Sequence, residues 1–142
     1  MKIWTDGSGA LLPGQKGKYC IIFEDSSKIR GTVENATNNE MEYFALLQAL
    51  RDPRSKGATI FTDSKLLVGQ LQDGWKVNAQ NLKTIYEECK GLLKSQQAKL
   101  VWVPREENLA GKELERQVVG KQTPPSSRLT LAIGLRSGRK PN

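Results

Sequence analysis

The segment ATIFTDSKLLVGQL (58–71) sets an apolar run, an aspartate, a serine and a helical pattern in direct succession. Residues 58–63 read as a short buried strand, rich in β-branched and aromatic side chains. From Ser64 onward, SKLLVGQLQ reads as a short helix. A strand that hands over directly to a helix belongs to a sheet with helices packed on it, and here it leaves Asp63 at the strand's end. Upstream, MKIWTD (1–6) reads as another strand, closed by the glycine-rich GSG (7–9), with Asp6 at its end. A loop with Pro13, Gly14 and Gly17 follows, and KYCIIFED (18–25) and KIRGTVEN (28–35) form a hairpin through Ser26 and Ser27. Residues 38–50 place Met41, Phe44, Ala45, Leu47 and Ala49 on one helical stripe, with Thr37, Asn38 and Asn39 as N-cap candidates. Asp52-Pro53 ends that helix, because the residue before proline disfavours helical geometry.

Downstream, residues 81–95 form an amphipathic helix with Leu82, Ile85, Cys89, Leu92 and Leu93 at helical spacing. KLVWVP (99–104) is a last strand stopped by Pro104, and a final helix covers about 108–118. The order β-β-β-α-β-α-α-β-α predicts an α/β fold with a mixed sheet. At 142 residues the chain suits one domain, expected over 1–118. Residues 119–142, with Pro124-Pro125 and scattered serines and arginines, read as a flexible tail in which a short strand at 128–133 is the alternative.

Composition narrows the function. The hydrophobic fraction of 37% and charged fraction of 26% are globular. No apolar run reaches the roughly 20 residues of a membrane span, and no leader pattern opens the chain. Cys20 and Cys89 read as buried packing in a reducing cytosol, so a cytoplasmic protein is expected. The absence of histidine excludes histidine general bases, histidine triads and His-ligated zinc. The net charge of +7 is uneven: residues 119–142 hold five of the 22 bases and no acid, so the remainder sets 17 bases against 15 acids. The basic signal is therefore largely a property of the tail.

Three acids occupy comparable places. Asp6 and Asp63 end strands, and Glu42 lies early in the first long helix. Ligands of open α/β sheets bind in the crevice beyond the strand ends. Clustered carboxylates repel one another, and divalent cations relieve that repulsion. Oxygen ligands without His or Cys suit Mg²⁺ or Mn²⁺. Each acid also has a local reading: Asp6 as a turn former, Asp63 as an N-cap, Glu42 as a partner of its helix dipole.

TDGSG (5–9), NATNNEMEYFALLQAL (35–50), FTDSKLLVGQL (61–71), WKV (75–77) and VPREEN (103–108) together resemble the type 1 ribonuclease H family, in family order over nearly all of residues 1–118. The resemblance implies a five-stranded mixed sheet of order 3-2-1-4-5 flanked by helices. It implies endonucleolytic hydrolysis of the RNA strand of RNA/DNA hybrids by two divalent ions, Mg²⁺ or Mn²⁺, with Asp6, Glu42 and Asp63 as ligands and Glu40 turned elsewhere. Two such ions, roughly 4 Å apart, activate a water and stabilise the leaving oxygen. Gly7, Ser8, Thr37, Asn38 and Asn39 would contact the RNA strand, whose 2′-hydroxyls line a wide minor groove. Trp75 and Lys76 would meet the DNA strand. Core packing is the other reading of Trp75, and helix capping that of Asn38-Asn39.

The family's fourth acid, an aspartate opening the last helix, has no counterpart here. Without gaps its position falls on Lys112; with one helical turn removed it falls on Asn108. Positions four apart share a helix face, so spacing does not separate the registers. Asn108 is the preferred fourth ligand, because an amide oxygen can hold a hard cation and a protonated lysine cannot; helix capping is its other role. Loss of one negative charge should weaken metal binding, favour Mn²⁺, and let Asn108→Asp improve Mg²⁺-supported activity. Lys112 would otherwise act as a fixed cation. Arg105 stands in the loop where the family often has a histidine, and would hold the leaving phosphate or be an ordinary surface charge. Between 72 and 82 the chain offers only Lys76 as a base, so affinity for the hybrid should depend on salt, with the tail as helper. A catalytically weak or inactive hybrid-binding module is the alternative function, and a DNA-processing nuclease of the same architecture a third. A monomer without a membrane or an evident protein partner is expected.

Overall fold

The computed structural model describes residues 1–122. Its strands are β1 (Lys2–Ser8), β2 (Lys16–Phe23), β3 (Lys28–Glu34), β4 (Thr59–Thr62) and β5 (Lys99–Trp102), and its helices α1 (Asn38–Arg51), α2 (Lys65–Gln72), α3 (Gln80–Ser95) and α4 (Leu109–Gln122). The strands form one mixed sheet in the order β3-β2-β1-β4-β5. Hairpin connections make β1–β2 and β2–β3 antiparallel. The crossover through α1 brings the chain back parallel, and β1–β4 and β4–β5 pair in that sense. This is the mixed five-stranded sheet, with flanking helices, that the element order predicts.

Helix α1 differs from expectation in what it buries. Tyr43, Leu46 and Leu50 are fully buried, while Phe44 is half-buried and meets Tyr19 edge to face with ring centroids 5.2 Å apart. The helix lies between the sheet and α3, so apolar side chains are needed on more than one stripe. Ile3, Ile21, Phe23, Ile60, Leu67, Leu82, Cys89 and Leu100 complete this core. Tyr43 Oη donates to Gln70 Oε1 at 2.6 Å within it, tying α1 to α2. A capping box starts α1: Glu40 N–H donates to Thr37 Oγ1, and Thr37 N–H to Glu40 Oε1 at 2.8 Å. Asp52 ends α1 in extended geometry, ahead of Pro53.

The chain divides into two units, residues 1–112 and 113–142. In the second, α4 continues to Gln122, past the expected end at 118, and Arg116 Nη2 donates to Glu113 Oε1 at 2.9 Å. The rest of the expected tail, with the strand expected at 128–133, lies outside the described residues. Among the described residues no helix is long and apolar enough to cross a membrane.

Candidate active site

The parallel pairing of β1 with β4 sets Trp4 opposite Phe61, and the two rings stack at 5.5 Å. Asp6 follows two residues after Trp4 in β1, and Asp63 two residues after Phe61, just beyond the end of β4. Strand β1 does not stop at Asp6, as the glycines suggest, but runs through Gly7 and Ser8, paired with Tyr19 and Lys18. Glycine is required at position 7 for another reason: a Cβ there would overlap the backbone of Met41 in α1. That close approach lets Gly7 N–H donate to Glu42 Oε1 at 3.1 Å, which draws the glutamate over the strand end. Asp6, Glu42 and Asp63 each offer a carboxylate oxygen, and these oxygens lie within 4.8 Å of one another.

The local readings of these acids do not account for that arrangement. Asp6 sits inside a strand and is fully buried. The N-cap of α2 is Ser64, whose Oγ accepts from Leu67 N–H at 3.1 Å, leaving Asp63 outside the helix. Burial first, and then the charges of Asp6 and Asp63, push the Glu42 carboxyl well above the usual carboxylate range. Glu40, committed to the capping box, is absent from the group. Three carboxylates without a nitrogen or sulfur donor fit a hard divalent cation such as Mg²⁺ or Mn²⁺.

Two basic or amide groups enter the cluster from the segment before α4. Arg105 Nη1 lies 3.3 Å from both Asp6 Oδ1 and Asp63 Oδ2. It is therefore not an unengaged surface charge. Asn108 is fully buried and caps α4, its Oδ1 accepting from Ala110 N–H at 3.1 Å. Its Nδ2 donates to Asp63 Oδ2 and to Thr5 O, each at 3.0 Å. The amide thus turns its nitrogen, not its oxygen, toward the carboxylates, which differs from the ligand expected there. Reversing the amide would set its oxygen against the Thr5 carbonyl and remove the cap. Lys112 is exposed, one helical turn later. Between them, Gly111 faces the cluster: a Cβ on it would lie 3.3 Å from Asp63 Oδ2 and 3.5 Å from Asp6 Oδ2. Sequence spacing offered Asn108 and Lys112 but not this glycine, because neither carries its own direction of approach in the pattern.

The expected nucleic-acid contacts divide. Ser8 and Asn39 are exposed. Gly7 is buried with its N–H on Glu42, and Thr37 caps α1. Asn38 Oδ1 accepts from Gly9 N–H at 2.6 Å, bracing the turn after β1. Trp75 is 51% exposed, so it is not a core residue. A Cβ on Gly69 would overlap its ring, which shows that the indole rests on the α2 backbone; Trp75 N–H also donates to Gly69 O at 3.0 Å. Lys76 is exposed beside it. Trp102 was not among the expected site residues: its Nε1 donates to Asp63 O at 3.1 Å and Lys65 lies over its ring. Its signal in the sequence was only its place near the end of the last strand.

Comparison with known proteins agrees with this geometry. The model of the RNase H family matches residues 1–114. A Mycobacterium tuberculosis bifunctional protein is 32% identical over 115 residues, covering 75% of this chain and 32% of its own length. The chain therefore spans about a third of that relative. A Campylobacter jejuni ribonuclease H is 34% identical over 114 residues, covering 72% of this chain and 77% of that protein. Among solved structures, the N-terminal RNase H domain of the mycobacterial protein superposes with a TM-score of 0.68 at 27% identity, covering 84% of this chain and 96% of that one. LC11-RNase H1, solved in complex with an RNA/DNA hybrid, gives 0.68 at 27% identity over 80% of this chain and 91% of that one.

Proposed function

The chain belongs to the ribonuclease H family, and on that premise we propose that it hydrolyses the RNA strand of RNA/DNA hybrids endonucleolytically, with two divalent ions held by Asp6, Glu42 and Asp63. The observation that carries the reading is the convergence of three carboxylates from β1, α1 and the end of β4 within 4.8 Å. Such a group costs stability in the absence of cations, so a binding surface alone would have no need of it. Ions bound there would supply an activated water and stabilise the leaving 3′ oxygen.

The protein's own part is to place and hold. Gly7 N–H and the strand register set the positions of Glu42, Asp6 and Asp63. Trp102 and Asn108 hold Asp63, through its carbonyl and its carboxylate respectively. On this reading Asn108 is a positioning residue and the three carboxylates are the ligands. Exposed Ser8 and Asn39 would meet the RNA strand, and Trp75 with Lys76 would offer a ring face and a cation to the DNA strand. The basic residues of 119–142 would add salt-dependent affinity, and deleting them should weaken hybrid binding at low salt while leaving the cleavage specificity unchanged.

Cleavage of an end-labelled hybrid with Mg²⁺ and with Mn²⁺ tests the reading, beside double-stranded DNA, double-stranded RNA and Asp63→Asn. Metal-dependent cutting of the hybrid's RNA strand, lost in the variant, is the expected result. Tight hybrid binding without cutting under either metal would favour the second reading, a hybrid-binding module, for which the non-acidic Asn108, Gly111 and Lys112 speak.

A further inference from the structure

A single nitrogen of Arg105 is shared between the carboxylates of Asp6, within β1, and Asp63, just after β4, 3.3 Å from each. From this we infer that Arg105 is the internal counter-ion of the carboxylate cluster, seated where a divalent cation binds, and that the cation loads by exchange with the guanidinium. The inference rests on the metal-site reading above.

Four observations carry it. The two aspartates are almost wholly buried, while the Arg105 side chain is 48% exposed. The acids are fixed in the body of the protein, and the arginine reaches them from solvent, so it can withdraw without disturbing them. Arg105 begins the short 3-10 turn Arg105–Glu107, directly after Pro104, and so is carried on a connection instead of a strand or helix. Gly111 lies beside this head group: a Cβ there would touch Arg105 Cζ at an ordinary 3.6 Å and crowd Asp63 Oδ2 at 3.3 Å. Finally, Asp63 Oδ2 accepts from Asn108 as well as from Arg105, so both charge and hydrogen-bonding capacity at that oxygen are satisfied before any ion arrives.

A hard cation such as Mg²⁺ binds carboxylate oxygens at about 2.0–2.1 Å, and so would compete for the two oxygens that Nη1 now meets. Two positive charges at that separation repel strongly where water is scarce. Ion and guanidinium therefore compete, and linkage makes the competition reciprocal: whatever Arg105 adds to the metal-free protein it subtracts from metal affinity. The released arginine is then free to face a substrate phosphate, so one residue serves the empty and the loaded site in turn.

The experiment is calorimetric titration of Mn²⁺ into the full chain, its Arg105→Gln variant and an Asp63→Asn control, with melting temperatures measured in chelator and in excess Mn²⁺. Arg105→Gln should bind Mn²⁺ about tenfold more tightly, within the usual range of such couplings. It should also melt lower in chelator and gain more on adding Mn²⁺ than the parent does. Equal or weaker Mn²⁺ binding by a folded Arg105→Gln would overturn the exchange. If the parent binds Mn²⁺ and Asp63→Asn does not, the metal site stands whatever Arg105 does; if neither parent nor Arg105→Gln binds, the site reading fails and the exchange with it. A second measurement avoids the glutamine variant: the Arg105 Nε resonance, assigned by its loss in Arg105→Lys, should move on Mg²⁺ titration. A resonance that stays fixed at saturation would equally overturn the proposal.

Discussion

Glu42 owes its behaviour to where its carboxylate is drawn. Buried, and set beside Asp6 and Asp63, it keeps its proton more tightly in the native protein than in the unfolded chain, although the Gly7 N–H acts in the other direction. A carboxyl raised in the folded state loses stability on ionisation, so the metal-free protein becomes less stable as pH rises from the ordinary glutamate value through the raised one. Glu42→Gln can still accept from Gly7 and carries no charge. In chelator it should be more stable than the parent at about pH 8, with the gap closing toward about pH 5, as urea melts at the two pH values would read. Parallel stabilities across that window would contradict the assignment. Asn108 presents the reverse case. Asn108→Asp would set a carboxylate against Asp63 and the Thr5 carbonyl, both now accepting from Nδ2. It should lower metal-free stability by about 3 kcal/mol, the cost of an unpaired buried charge, and excess Mn²⁺ should restore part of the loss. A thermal melt with and without Mn²⁺ checks both halves, and a variant stable in chelator would show that the amide donation matters little.

At the scale of elements, the site is assembled by contacts that glycine allows. β1 meets α1 at Gly7, and Trp75 folds onto α2 at Gly69. Gly69→Ala is favourable to helix formation by about 1 kcal/mol in isolation, yet the new methyl would stand in the ring of Trp75. The expected outcome is an intact fold with a displaced indole: altered tryptophan emission and several-fold weaker hybrid binding by anisotropy, with metal affinity unchanged. Unaltered hybrid affinity would remove Trp75 from the nucleic-acid contact. The same elements explain what sequence pattern could not show. Helix α1 buries Tyr43, Leu46 and Leu50 outside the expected stripe because α3 covers it from the other side. Periodicity records how many faces are apolar, not which neighbour will cover each.

For the whole molecule, the parallel pairing of β1, β4 and β5 binds sequence-distant segments into one sheet; Cys89 lies in the core cluster, and Cys20 is fully buried in β2. Burial pushes the Cys89 thiol up to about 12, so it offers almost no thiolate at neutral pH. Alkylation of both thiols should therefore wait on opening of the core, and it should slow further when Mn²⁺ stabilises the native state. Rapid native labelling of Cys89, followed by mass spectrometry, would show that α3 opens independently.

The chain by itself determined the succession of strands and helices, the mixed sheet, and the three acids, since each of these is written locally. Apolar runs mark strands, Thr37 and Ser64 mark helix starts, and each acid keeps its place in or just after its own element however the sheet is packed. Only the tertiary structure decided what surrounds those acids. Arg105 lies far along the chain from Asp6, and no local pattern tells whether its guanidinium meets a phosphate, solvent or two aspartates. Nor could spacing choose between Asn108 and Lys112, or point to Gly111, because what faces the acids depends on the rotation of α4 about its axis. A side chain's chemistry belongs to its residue type, but its direction and its partner belong to the packing of elements remote in sequence.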